Sequence, residues 1–358
     1  MQEVLFSPYR LGPMLLRNRV VMAPMTRNRS PQNVPGALVA TYYAQRAEAG
    51  LIITEGTSPS PNGVGLPRIP GLYNSEQVQA WRAVTEAVHA QGSKILLQLM
   101  HTGRVGHPDN LPKGATVVGP SPIALPDDVW TEGGKKTAPT PREMTELDIE
   151  CAIAEFATAA DLAMQAGFDG VELHGGNGLL IDQFLNVACN TRRDDWGGSV
   201  ENRIRFAVEV ARAVAARIGP DRVGMRISPY GSYNGMQTDS LVVEVFRELL
   251  TALDTIGLAH IHLVDLSSMG GPPVPPTMKD TIRELFTRTV IHSGGYDRER
   301  AEEDLALGNC DLIAFGRPFI ANPRLVTLLE QRSALRAFDE ASLYTAGPEG
   351  YIDYPLLP

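Results

Sequence analysis

A histidine and an asparagine lie three residues apart in a glycine-rich stretch of this sequence. The run 170–185, GVELHGGNGLLIDQFL, is typical of a buried strand, a tight turn that carries His174 and Asn177, and the start of a helix. Both side chains can donate a hydrogen bond while they are neutral. Two such donors, just past the carboxyl end of a strand, are suited to hold a carbonyl oxygen while negative charge builds up on it.

Short apolar runs that alternate with helical patterns are the elements that would position these two side chains. The runs are 20–24, 51–55, 95–99, 170–173, 223–227, 260–264, 290–293 and 312–315. The helical segments between and after them are 36–50, 75–92, 145–167, 199–219, 239–257, 279–289, 297–308 and 322–331. Continuous apolar character is typical of parallel strands that are covered on both faces. Eight such units predict an α/β protein with a TIM (β/α)8 barrel, and a doubly wound sheet is the alternative.

Two segments interrupt this alternation. Residues 101–144 are rich in proline and glycine and contain no convincing helical pattern, which predicts a long excursion after the third strand that caps the active end of the barrel. Residues 5–19 precede the first strand and are expected to form a hairpin over the opposite mouth. Because no linker or low-complexity tract is visible, we expect residues 1–358 to form a single domain.

Composition excludes several classes of function. The net charge of −9 argues against a nucleic-acid partner or an anionic membrane, since either would require a basic patch. The three cysteines, Cys151, Cys189 and Cys310, are widely spaced and predict neither a disulfide framework nor a metal site. The N-terminus has no signal-peptide pattern, and no apolar run is long enough to span a membrane. We therefore expect a cytoplasmic monomer or homodimer that acts on a small molecule.

The residues after the last two strands indicate a phosphate site. In barrels of this kind the chemistry takes place at the carboxyl ends of the strands. Ser293, Gly294 and Gly295 follow the seventh strand, and Gly316 and Arg317 follow the eighth. Backbone N–H groups of glycine turns and a neighbouring arginine are the groups that this fold uses to bind phosphate. The alternatives are ordinary tight turns, or a barrel that binds a sugar phosphate.

Three further side chains suggest what carries that phosphate. Gln98 and Arg226 can reach the polar edge of a flat heteroaromatic ring that lies across the barrel mouth, and Thr26 can donate a hydrogen bond to it. A ring of this kind with a phosphate tail describes FMN.

At this point the sequence resembles the old yellow enzyme family of flavin-dependent ene-reductases over essentially its whole length. The resembling stretches are 18–26, 42–46, 50–57, 97–101, 103–104, 167–174, 181–185, 197–203, 314–323 and 350–355. The resemblance implies an FMN-dependent oxidoreductase with non-covalent FMN and with NAD(P)H as a transient reductant. No G-x-G-x-x-G motif follows a strand, which is consistent with a nicotinamide that binds in the substrate site.

The resemblance also assigns roles to positions. Thr26 matches the threonine that hydrogen-bonds the flavin, and His174 with Asn177 matches the pair that binds the carbonyl oxygen of an activated alkene. Hydride would then pass from the reduced flavin N5 to the β-carbon of an α,β-unsaturated carbonyl compound. The residues expected to bind the cofactor are Pro24, Met25, Thr26, Gly56, Gln98, Arg226, Ser293, Gly294, Gly295, Gly316 and Arg317.

Two departures from the family pattern bear on the chemistry. Leu179 stands where the family usually has a tyrosine that protonates the α-carbon, and Met100 stands where a tryptophan is common. A leucine cannot deliver a proton. Water or another phenol in the substrate pocket, Tyr233, Tyr351 or Tyr73, would have to supply it. The alternative is an FMN-dependent isomerase or desaturase that acts on a bulky ketone or enone and needs no such acid.

Overall fold

Eight parallel strands form a closed barrel in this computed structural model, which describes residues 3–356. The two residues at each end of the expected 1–358 domain lie outside the described part. The barrel strands are β3 (Val20–Met22), β4 (Leu51–Ile53), β5 (Lys94–Leu99), β10 (Gly170–Gly175), β11 (Val223–Ile227), β12 (His260–Val264), β13 (Thr289–Ser293) and β14 (Leu312–Phe315). They follow one another around the barrel in chain order, and β14 pairs with β3 to close it. The predicted TIM barrel is confirmed.

Helices cover the outside of the barrel. They are α1 (Ala37–Gln45), α2 (Ser75–His89), α3 (Glu146–Gln165), α4 (Leu180–Leu185), α5 (Val200–Ile218), α6 (Val242–Ile256), α7 (Pro276–Leu285), α8 (Arg298–Ala306), α9 (Pro318–Ala321) and α10 (Leu325–Glu330). Their apolar faces pack on the strands in a large buried cluster that includes Trp81, Phe156 and Phe206. In the described residues, 3–356, no helix is long and apolar enough to cross a bilayer.

Several helices have other bounds than the sequence predicts; the one expected at 36–50, for example, ends at Gln45. The segment expected at 279–289 begins earlier, at Pro276, because proline is well suited to the first turn of a helix. Within the segment expected at 322–331 only Leu325–Glu330 is helical, as α10, and the short helix α9 precedes that segment. Asn322 between them has φ −126° and ψ 79°, and Pro323 disfavours the helical conformation of the residue before it.

A hairpin closes the amino-terminal end of the barrel, as expected. Its strands are β1 (Tyr9–Leu11) and β2 (Met14–Leu16), and they pair antiparallel. Leu11 and Leu16 pack in a buried cluster with residues of the barrel interior such as Leu312. The Tyr9 hydroxyl lies 3.0 Å from Oγ1 of Thr289, the first residue of β13. The opposite, carboxyl end of the strands is thereby left as the open mouth.

The excursion at 101–144 contains four short strands. These are β6 (Val118–Gly119), β7 (Asp128–Thr131), β8 (Gly134–Thr137) and β9 (Arg142–Glu143), of which β7 and β8 form a hairpin. Apolar side chains of the excursion, among them Val105 and Leu125, share one buried cluster with Met100 and Leu179. The excursion therefore packs against the side of the barrel mouth.

Candidate active site

A cavity of about 800 Å³ lies at the carboxyl ends of the barrel strands. It is lined by fifteen of the residues that the sequence singled out, namely Pro24, Met25, Thr26, Gly56, Gln98, Met100, His174, Asn177, Arg226, Tyr233, Ser293, Gly294, Gly295, Gly316 and Arg317. The structure thus brings together positions that lie as far as 293 residues apart in the sequence, and it does so where the chemistry of this fold takes place.

Three polar atoms at this cavity are buried without a hydrogen-bond partner. They are Nδ1 of His174, Oδ1 of Asn177 and Nε of Arg226. A buried polar atom without a partner typically costs about 1–3 kcal/mol, so such atoms are rare unless a ligand or water satisfies them. All three atoms belong to residues that line the cavity, so these side chains keep hydrogen-bonding capacity that the rest of the protein does not use.

His174 is a neutral hydrogen-bond donor at physiological pH. It lies in β10 beside Arg226 of β11, with which it is in register. Burial, together with the charge of Arg226, lowers the pKa of His174 to about 3. A neutral imidazole carries one N–H, which can donate to an oxygen and can strengthen that bond as the oxygen becomes negative.

The turn that carries Asn177 is held by polar contacts on several sides. Its backbone N–H donates to Oγ of Ser228 at 2.7 Å, and its carbonyl accepts from Nδ2 of Asn234 at 2.8 Å. The next N–H, of Gly178, donates to Oδ2 of Asp182 at 2.8 Å. Asn177 has a φ of 57°, a left-handed conformation that asparagine tolerates better than most residues. The amide is therefore presented from a fixed backbone.

The glycine turn at 293–295 and Arg317, which the sequence predicts as a phosphate site, line one part of the cavity. Gly294 has a φ of 144°, and a Cβ there would lie 2.6 Å from the carbonyl oxygen of Asp265, so only glycine fits. The exposed guanidinium of Arg317 donates to the carbonyl and to Oγ of Ser268, at 3.1 and 3.2 Å, through Nη2 alone. Backbone N–H groups of a left-handed glycine turn beside a partly free arginine fit a phosphate group.

A wall of the cavity comes from a segment that the sequence did not single out. Leu335, Phe338 and Tyr344 line the cavity. Two buried arginines hold this segment through its backbone: Arg27 donates to the carbonyls of residues 343 and 350, and Arg29 to those of 342, 343, 347 and 349. Bonds from side chains to distant carbonyls leave no sequence pattern, which explains why this wall was missed.

Two residues expected in the substrate pocket do not line this cavity. Tyr351 is 0% exposed, and its ring stacks on Tyr42 with centroids 4.1 Å apart. The Arg29 guanidinium lies 4.5 Å from the centroid of that ring. Because Tyr351 is packed between these groups and does not line the cavity, the expectation that its phenol reaches the substrate pocket is wrong. Leu179 is 5% exposed and packs in the apolar cluster behind Met100.

Of the other phenols considered, one lines the cavity and one does not. Tyr233 lines it and is 45% exposed at the mouth. The hydroxyl of Tyr73 instead lies 3.4 Å from Oδ1 of Asn33, outside the cavity lining. Tyr344, which the sequence did not single out, is a second exposed phenol on the lining.

Comparisons with known proteins agree with this geometry. The model of the NADH:flavin oxidoreductase / NADH oxidase family matches residues 4–335. A chanoclavine-I aldehyde reductase of Penicillium roqueforti is 42% identical, over 98% of this chain and 95% of its own. The 12-oxophytodienoate reductase 7 of Oryza sativa subsp. japonica is 39% identical, over 99% and 95% of the two chains.

Solved structures are similar over the whole fold. Morphinone reductase superposes with a TM-score of 0.95 at 40% identity, covering 99% of this chain and 96% of its own. The old yellow enzyme homologue of Zymomonas mobilis also has a TM-score of 0.95, at 38% identity, and covers 99% of both chains. The chain therefore belongs to the old yellow enzyme family and is an FMN-dependent oxidoreductase.

Proposed function

We propose that this enzyme is an NAD(P)H-dependent ene-reductase that reduces the C=C bond of α,β-unsaturated carbonyl compounds. The observation that carries the proposal is the pair His174 and Asn177, a neutral imidazole and a side-chain amide that line the same cavity three residues apart in the sequence. Bound FMN supplies the redox chemistry, since it accepts two electrons from NAD(P)H and returns them as a hydride. The names of the relatives, which include 12-oxophytodienoate and morphinone reductases, support the same substrate class for this chain.

The residues around the cavity fit FMN at both ends. At the phosphate end, the turn 293–295 and the strand end with Gly316 and Arg317 would hold the negative charge. At the ring end, Gln98 offers an amide and Arg226 a cationic donor for the polar edge of a flavin. Thr26 would donate its hydroxyl to the ring, and Pro24, Met25 and Gly56 complete the lining.

His174 and Asn177 would hold the substrate carbonyl oxygen. Reduction at the β-carbon pushes negative charge onto that oxygen, and donors already in place stabilise the charge without reorganising. Because burial keeps His174 neutral, its ring donates a hydrogen bond and does not transfer a proton at physiological pH. Loss of one such donor typically costs about a hundredfold to a thousandfold in rate.

The α-carbon must receive its proton from an unusual source. Leu179 has no proton to give, and Tyr351 is buried away from the cavity. Tyr233 lies at the open mouth, where water also has access. We therefore assign α-carbon protonation to water or to one of the two exposed phenols on the cavity lining, Tyr233 and Tyr344.

A second candidate function follows from the same departure. An isomerase or desaturase of a bulky ketone or enone would need no acid at the position of Leu179. Product analysis distinguishes the two functions. Net reduction consumes one equivalent of NAD(P)H for each product, whereas isomerisation consumes none and desaturation requires an electron acceptor such as dioxygen.

Anaerobic stopped-flow spectroscopy tests the leading proposal. The enzyme is reduced with one equivalent of NADPH and mixed with 2-cyclohexenone, and flavin reoxidation is followed in wild type and in His174→Ala and Asn177→Ala. We expect the wild type to be reoxidised far faster than free reduced FMN, and each variant about a hundredfold to a thousandfold more slowly than wild type. Reoxidation of the wild type no faster than that of free FMN would refute ene reduction.

A further inference from the structure

A buried carboxylate lies beneath the cavity and contacts one of its lining residues. Oε1 of Glu172, in β10, accepts from Nε2 of Gln98 at 2.8 Å. Its other oxygen, Oε2, lies 2.9 Å from Nδ1 of His262 and 3.2 Å from Nε2 of His260. Because a carboxylate only accepts hydrogen bonds, these two ring nitrogens must carry the protons. The remaining ring nitrogens of both histidines are buried without a partner.

The charge in this cluster lies on the carboxylate. Burial by itself would raise the pKa of Glu172, but His262 and the hydrogen bonds from both histidines hold that pKa well below its usual range. Burial lowers the pKa of His262 to about 4, so this imidazole is neutral at physiological pH. Burial also lowers the pKa of Arg226 to about 10, which leaves the guanidinium charged, with Glu172 as the opposite charge acting on it.

The barrel is built to allow this contact. Glu172 in β10 is in register with Gly224 in β11, and Gly224 is in register with His260 in β12. A Cβ at Gly224 would lie 2.0 Å from Cε1 of His260. The imidazole therefore crosses a strand through a gap that only glycine leaves open.

We propose that Glu172 is a positioning residue that fixes which atom of Gln98 faces the cofactor. With Nε2 held by Glu172, Oε1 is the atom left to serve the cavity that Gln98 lines. The polar edge of a flavin carries an N–H between two carbonyl oxygens. An amide oxygen accepts from that N–H, and Arg226 supplies donors for the carbonyls. The inference rests on the proposed role of Gln98 toward FMN.

Neutralising Glu172 releases this orientation. In Glu172→Gln a second amide faces the N–H donors of Gln98, His260 and His262, so one of them must turn away. Loss of one well-oriented hydrogen bond predicts about tenfold weaker FMN binding. Removal of the negative charge near Arg226 also favours the more negative, reduced cofactor, so we expect a more positive midpoint potential.

The test measures FMN affinity and midpoint potential. Apoprotein is titrated with FMN by fluorescence quenching, and the potential of the reconstituted enzyme is measured against a reference dye. The variants are Glu172→Gln, Glu172→Asp and Gln98→Leu. Asp182→Asn, measured above about pH 8 where the carboxyl of Asp182 is ionised, is the matched control, since it then neutralises another buried carboxylate from the same strand–helix unit and leaves the Glu172 contacts intact.

The variants differ in the FMN affinity and the midpoint potential that we expect of them. We expect Glu172→Asp, which keeps the charge and loses reach, to weaken FMN binding with little change in potential, and Asp182→Asn to leave FMN affinity at the wild-type value. Loss of the charge shifts the potential in either case, so FMN affinity in the Gln98→Leu background separates the two roles. A purely structural role of Glu172 would weaken FMN binding there as well, whereas a role exerted through Gln98 would not.

Two results distinguish failure of this inference from failure of the proposed function. If Gln98→Leu binds FMN normally, the role of Gln98 itself is wrong. If Gln98→Leu loses FMN while both Glu172 variants match wild type, only the positioning role is overturned. Should the Glu172 variants not fold, atomic-resolution diffraction from the wild-type holoenzyme decides, and Nε2 of Gln98 on the cavity side would contradict the inference.

Discussion

Replacing Asp182 by asparagine is expected to stabilise the enzyme, and increasingly so as pH rises from acidic to neutral. Asp182 lies in α4 and is buried, with the N–H of Gly178 and the hydroxyl of Ser228 as its hydrogen-bond donors. Burial raises its pKa from 3.8 to about 7, against the opposing effect of those two hydrogen bonds. The native state therefore disfavours the ionised form, whereas the unfolded state does not.

The raised pKa of Asp182 determines the pH range over which the free energy of unfolding changes. At low pH the carboxyl is neutral in both states, so aspartic acid and asparagine are equivalent. As pH rises through about 4 to 7, only the unfolded chain ionises, and wild type loses about 1.4 kcal/mol of stability per pH unit from this group. Above the native pKa both states are ionised and the loss stops. The full difference is about 4 kcal/mol, of which about 2 kcal/mol develops between about pH 5 and pH 7.

The assay is denaturant unfolding of wild type and Asp182→Asn, with the same saturating FMN, over a series of pH values. The quantity compared is the difference between their free energies of unfolding. Glu86→Gln, on the exposed face of α2, makes the same carboxyl-to-amide change at a solvated position and should show only a small difference. A difference for Asp182→Asn that stays constant with pH, or that shrinks as pH rises, would refute the reasoning.

Three other predictions concern single residues. Because burial lowers the pKa of His174 to about 3, this residue should not change its charge near neutral pH, and the affinity of the oxidised holoenzyme for an enone should not vary with pH on its account. A change in affinity near neutral pH that disappears in His174→Asn would contradict this. Gly224→Ala should lower the free energy of unfolding by about 1–3 kcal/mol, because the added methyl group overpacks against the imidazole of His260. Gly347→Ala, with open space around it, is the control and should leave the free energy of unfolding unchanged. Equal effects of the two substitutions would contradict the packing argument. Tyr351→Phe should leave steady-state turnover of 2-cyclohexenone unchanged, because the hydroxyl does not reach the cavity; a large loss would restore this phenol as a proton donor.

Much of the barrel and of the site could be predicted from local patterns. The barrel strands could be recognised because a strand that is covered on both faces requires a continuous apolar sequence. His174 and Asn177 come at the end of such a run and directly after it. Contacts that depend on register across strands were not predictable. The contact between His260 and Glu172 requires knowing that Gly224 lies between them in the barrel. The position of Tyr351 likewise depends on how a segment without regular structure folds back onto the barrel.

The way in which the segment 335–350 is attached has a consequence for protein engineering. Arg27 and Arg29 bind mainly its backbone carbonyls, and every residue type offers a carbonyl. The side chains that this segment turns toward the cavity, Leu335, Phe338 and Tyr344, can therefore be exchanged without removing the bonds that hold the loop in place. Libraries randomised at these three positions offer a route to altered substrate selectivity in which most members retain the scaffold.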